Sequence, residues 1–123
     1  MTLLLVVIGA AVGAPARYLT DLFVQSRHDA VVPWGTLTVN AVGSLVLGLT
    51  AGLVTAGGAP AWVLTLVGTG FCGALTTFST FSFETVRLME EGSSLEAFGN
   101  VAMSLLAGLL AAFGGWALAT ALA

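Results

Sequence analysis

Residues 70–84 read GFCGALTTFSTFSFE. Two glycines, Gly70 and Gly73, precede a run of hydroxyls and aromatic rings, and the sequence on both sides is apolar. Hydrocarbon supplies no hydrogen-bond partners. Helix-weakening glycines and a Thr/Ser cluster are therefore tolerated at membrane depth only where neighbouring protein or a polar path satisfies them. The stretch predicts a transmembrane helix interrupted inside the bilayer, with a cation site at the glycines and an anion path along the hydroxyls and rings.

The composition outside this stretch agrees with a membrane setting. Of 123 residues, 58% are hydrophobic and 7% charged, whereas about a quarter of the residues of a soluble domain are charged. Crossing the bilayer core takes about 20 apolar residues, and four stretches qualify: 3–24, 33–55, 61–89 and 95–122. Gly9 and Gly13 give the first helix small-xxx-small spacing, and Ser44, Gly48 and Gly52 do the same for the second. Pro33 opens that second helix and Trp34 anchors it at the interface. Gly57, Gly58 and Pro60 make a tight turn before Trp62, and Gly92, Ser93 and Ser94 make the next. From Ala61 to Cys72 a helix rises roughly 18 Å, which puts the break near residues 73–76 at about the bilayer midplane. The fourth helix spaces Ser104, Gly108 and Ala112 by four. Residues 1–123 read as one four-helix domain, and the first apolar stretch, lacking a basic n-region, reads as a retained helix.

Three arginines, no lysine and a net charge of -3 argue against nucleic acid as a partner. The single His28 lies in the polar RHD connection and the single Cys72 has no disulfide mate. No zinc spacing, activated nucleophile or phosphate loop is present, so the chain does not read as an enzyme. An even number of spans puts both termini on one side. Arg27 and Arg87 are the loop cations, both on the same face, with Arg17 within or at the end of the first helix. That orienting bias is feeble. Four short helices without an inverted repeat enclose too little space for a pore. An antiparallel homodimer that inserts both ways, with its two-fold axis in the membrane plane, supplies the missing walls.

Helix interruption at residues 73–76 frees carbonyls near that axis, and four of them around one point suit a hard cation. Close helix packing is the alternative use of Gly70 and Gly73. Phe78 and Phe81 share one helix face with Thr77, Thr80 and Glu84 nearby. Ring edges carry partial positive charge and can line an anion path without trapping the ion. Ordinary aromatic packing and hydroxyls bonded back to their own helix are the plainer readings. Thr36, Asn40 and Ser44 follow one face of the second helix, and Asn100 and Ser104 one face of the fourth. Their donors serve either a dehydrated anion or interhelical bonding. Arg17 and Asp21, four apart, form either a helix-end ion pair or, for the arginine, an anion attractor. Glu84 fits a vestibule or capping group.

Together GAPARY around Arg17, GTLTVNAVGSLVLG around Asn40 and GFCGALTTFSTFSFE resemble the Fluc/CrcB family of small fluoride channels across the whole chain. The resemblance implies an antiparallel, dual-topology homodimer of four-helix subunits in the bacterial cytoplasmic (inner) membrane. It would passively export fluoride that enters as HF, with two fluoride pathways and a central structural sodium ion. It further implies that the backbone carbonyls of Gly73 and Thr76 hold the sodium and that Phe78 and Phe81 line the pores. Asn40 would support the fluoride track, Ser104 fits a pore-lining position of the family, and Arg17 would belong to the vestibule region. From the residues themselves, Thr77 and Thr80 join the fluoride pathway and Glu84 the vestibule. The fourth helix departs from the family pattern, with Asn100 and Gly108 standing where an aromatic hydroxyl and another hydroxyl occur. A small multidrug antiporter also uses four short helices but needs a carboxylate within its first helix, and here none precedes Asp21. A non-transporting assembly subunit would leave the TTFSTFSF cluster unexplained.

Overall fold

The computed structural model describes residues 1–27 and 33–122. The connection carrying His28 lies outside the described residues. The fold is all-helical, with four segments long and apolar enough to cross a membrane. Helix α1 is Thr2–Arg27 and α2 is Trp34–Thr55. The third span, Ala61–Glu90, is divided into α3 (residues 61–75) and α4 (Ser79–Glu90). Helix α5 is Ser94–Leu122. Within α3 the segment Leu64–Cys72 is π-helical, followed by one α-helical turn at Gly73–Leu75. The predicted boundaries hold to within three residues at every helix end, with α1 continuing furthest beyond its expected limit.

The helices pair through small residues because lipid gives apolar side chains no reason to leave it, so close backbone packing has to supply the attraction. On α2 and α5 the two stripes interlock. A methyl at Gly48 would strike the Ala112 backbone, and one at Gly115 would come within 2.7 Å of the Leu45 carbonyl. α1 and α3 cross in the same way, with a methyl at Gly9 falling 2.9 Å from the Gly70 Cα. Large apolar side chains such as Leu106, Leu110 and Phe113 point outward, as a lipid-facing surface requires.

Two glycine turns close the helices. Gly57 (φ 82°) and Gly92 (φ 83°) adopt the left-handed conformation that L-residues avoid. In each turn the following amide reaches back five residues, Gly58 N–H to the Leu53 carbonyl and Ser93 N–H to the Leu88 carbonyl, both at 2.8 Å. This satisfies a carbonyl that the helix end would otherwise leave bare.

Gly48→Val should destabilise the fold by about 1–3 kcal/mol through overpacking, whereas Gly114→Ala, whose new methyl would meet nothing within 4 Å, should not. Unfolding midpoints of both variants in detergent micelles check this.

Candidate ion-conduction site at the helix break

The break begins at Thr76, which is extended (φ -80°, ψ 158°), and runs through residues 76–78. The expected break near residues 73–76 is thus displaced toward its C-terminal end. Gly73 itself is helical (φ -62°, ψ -34°). The reason is a side chain from another helix. Asn40 Oδ1 accepts the Thr77 N–H at 2.7 Å, and Asn40 Nδ2 donates to the Thr77 carbonyl at 3.0 Å. In an uninterrupted helix the Thr77 amide would go to the Gly73 carbonyl. Asn40 intercepts it, so among the described residues that carbonyl receives no amide.

The surroundings are shaped for this arrangement. Gly43 has no side chain where the Thr76 methyl sits, and that lets the break approach α2. Thr76 closes the last turn of α3, its amide donating to the Cys72 carbonyl at 3.0 Å and its hydroxyl at 2.9 Å. Just before α4 the Thr77 hydroxyl oxygen accepts the Thr80 N–H at 3.2 Å, satisfying one of the amides that a helix start leaves without an intrahelical partner. The Thr77 and Thr80 hydroxyls are 3.1 Å apart.

The two glycines of the opening motif therefore serve different ends. Gly70 packs on Gly9, whereas a methyl at Gly73 would meet nothing within 4 Å. Gly73 sits in the wall of an open groove of about 310 Å³ with Asn40, Ser44, Thr76 and Phe78. Phe78 and Phe81 are adjacent, with ring centroids 5.9 Å apart and planes tilted by 47°. Phe78 is 78% exposed, so its ring stands uncovered beside the groove.

Arg17 lies on the other side of the break. It does not reach for Asp21; its Nη1 donates to the Thr76 carbonyl at 3.4 Å. The Asp21 carboxylate instead lies against Gly35 in the first turn of α2, where a helix favours negative charge. Arg17, Asp21, Thr36, Thr77 and Thr80 share a second cavity of about 200 Å³. Glu84 accepts a hydrogen bond from the Thr36 hydroxyl, and its Oε1 has no partner among the described residues. Mid-way along α4, Glu84 bridges to α2 and caps no helix end. The buried hydroxyl of Ser104 also lacks a partner among the described residues, so the interhelical bond considered for it is not formed. Asn100 does form one, donating to Thr85 Oγ1 at 2.9 Å. Thr85 and Gly43 escaped the sequence reading, since neither lies in a hydroxyl or glycine repeat that marks it.

Among the described residues no three His, Cys, Asp or Glu side chains converge, so the oxygens offered to a cation at the break are peptide carbonyls. Gly73 contributes one without a donor. Thr76 contributes another whose guanidinium contact is long, which leaves lone-pair capacity on that oxygen. Such an oxygen set suits a hard monovalent or divalent cation if further oxygens complete the shell.

This geometry can be set beside known proteins. The model of the CrcB-like (Camphor Resistance) family matches residues 4–116. The chain belongs to the CrcB family. Curated relatives agree along most or all of its length. A protein of Frankia casuarinae named fluoride-specific ion channel FluC 1 is 60% identical, covering 100% of this chain and 96% of its own. A Streptomyces avermitilis protein of the same name is 57% identical over 94% of this chain and 93% of its own. One from Shewanella loihica, named fluoride-specific ion channel FluC, is 44% identical over 84% and 83%. These CrcB relatives carry the names of channels, not of enzymes.

Asn40→Leu removes both bonds to Thr77, worth together roughly 1–2 kcal/mol between membrane helices. The amides of residues 77–80 should then exchange with solvent about 5–30 times faster, as measured by hydrogen–deuterium exchange in detergent.

Proposed function

We propose that this CrcB-family chain is a fluoride-selective passive channel of the bacterial cytoplasmic (inner) membrane, working as an antiparallel, dual-topology homodimer. The observation that carries the reading is the Asn40-held break, which bares the Gly73 carbonyl beside an open groove and leaves the neighbouring Phe78 ring uncovered. Relatives named as fluoride-specific channels support the choice of ion. The bare Gly73 face and the exposed ring make sense once a second, inverted copy closes over them.

Fluoride is small and strongly hydrated, so a path for it must replace water with donors that do not hold it too tightly. Arg17 attracts the anion at the vestibule, where Thr80 and Thr77 offer hydroxyls. Past the break, the edges of Phe78 and Phe81 present partial positive charge without a full counter-charge. Asn40 keeps one N–H beyond the one given to Thr77, and the Ser104 hydroxyl on α5, without a partner among the described residues, is a further donor. The carboxylate of Glu84, held by Thr36, lies on the Arg17 side of the break.

The carbonyls of Gly73 and Thr76, with their symmetry mates, would hold a structural sodium ion. A bound cation there supplies positive charge that ties two broken helices together without entering the anion path. The antiporter reading finds no support, since the carboxylate nearest the end of the first helix, Asp21, is engaged at the start of α2.

In proteoliposomes the purified protein should release fluoride and exclude chloride, read with ion-selective electrodes; equal chloride flux overturns the proposal. Phe78→Ile and Phe81→Ile should each slow fluoride efflux by roughly tenfold or more, which corresponds to about 1.4 kcal/mol of barrier. Unchanged rates in both would return the rings to a packing role.

A further inference from the structure

Helix α4 carries Phe81 and begins directly after Phe78, yet Leu88 is its one buried residue. Phe83, Val86 and Met89 on the same helix are exposed. Apolar packing therefore does little to fix how far α4 is rotated or how high it sits. Polar contacts do this instead, and they are distributed along its length. Thr77, at its start, is held by Asn40. Glu84 is held by Thr36. Both partners are on α2. The third contact comes from the other side: Asn100 on α5 donates to the Thr85 hydroxyl at 2.9 Å, and that hydroxyl donates to the Phe81 carbonyl at 2.8 Å.

The Thr85 hydroxyl is acceptor and donor at once. The relay runs from amide to hydroxyl to peptide oxygen and ends one turn back, on the residue that bears the second ring. Asn100 is 2% exposed, and it lines neither the groove at the break nor the Arg17 cavity. A buried amide is unfavourable unless its hydrogen bonds are made, and an apolar residue at this place would fill the helix contact without that requirement. A threonine bonded to the carbonyl four residues back also tends to bend its helix, and so bears on the direction in which the Phe81 turn faces.

We propose that Asn100 is a positioning residue for conduction: through the Thr85 hydroxyl it fixes the turn of α4 that carries Phe81, and with it the place of that ring beside Phe78. Asn100 touches no ion. The inference rests on the ring-lined pathway proposed above.

The test is fluoride efflux from proteoliposomes holding the full chain. Thr85→Val keeps the side-chain shape and removes the relay, whereas Thr85→Ser keeps the hydroxyl. Asn100→Ala and Thr85→Val should each slow efflux roughly three- to fifteenfold, the size of one hydrogen bond between membrane helices. Thr85→Ser should stay within about twofold of the wild type, and the Asn100→Ala/Thr85→Val double variant should be no slower than the slower single one. Thr85→Ser as slow as Thr85→Val, or losses that multiply in the double variant, would overturn the relay. If Asn100→Ala does not fold, the Val/Ser pair at Thr85 makes the same decision. Wild-type protein without fluoride flux overturns the channel reading and the relay with it, whereas wild-type flux with unaffected Thr85→Val overturns the relay alone.

Discussion

One side-chain amide sets the architecture of the third span. Inside a bilayer a peptide group that leaves its helix must find another partner, because water is not there to supply one. Asn40 satisfies the N–H and the C=O of Thr77 together, and so makes a non-helical residue tolerable at that depth. By taking the Thr77 N–H it also leaves the Gly73 carbonyl open. The interruption and the bare oxygen are thus a single event, and Gly43 supplies the room for it.

The molecule holds itself together in two different ways. α2 with α5, and α1 with α3, meet backbone to backbone through glycine and alanine, where dispersion over a close contact gives the attraction. α4 has almost none of that and is positioned by hydrogen bonds from Asn40, Thr36 and Asn100. Packing of the first kind makes a rigid frame. Hydrogen bonds of the second kind are directional, so they define where a helix sits while leaving its other faces unencumbered. Thr80, Phe81 and Glu84 are on the helix held in this second way.

The frame was largely legible in the sequence. Apolar length gave the four spans, and the small-residue stripes at Gly9, Gly48 and Gly52 gave the packing faces, since both signals are periodic and local. The interruption is legible as an event but lies slightly later than the two glycines indicate, because the decisive residue is 37 positions away on another helix. The adjacency of Phe78 and Phe81 followed from their spacing. Arg17 and Asp21 share one helix face, but their partners, Thr76 and the start of α2, are set by tertiary geometry that spacing does not encode. The same holds for Asn100, whose partner is 15 residues away across a turn. Glu84 was expected near the vestibule, while its tie to Thr36 needed two helices to be placed side by side.

The π-helical Leu64–Cys72 segment left no mark in the sequence, and it constrains how such a chain can evolve. A π-helix bonds each carbonyl to the amide five residues on, so it takes up residues at a different rate from the α-helical turns on either side. The distance from Pro60 to the interruption is therefore a counted quantity. Gaining or losing one residue there would swing Gly73 away from its open face and carry Thr77 past Asn40. Changes in length across evolution should accordingly collect in the turns around Gly57 and Gly92, and spare this segment.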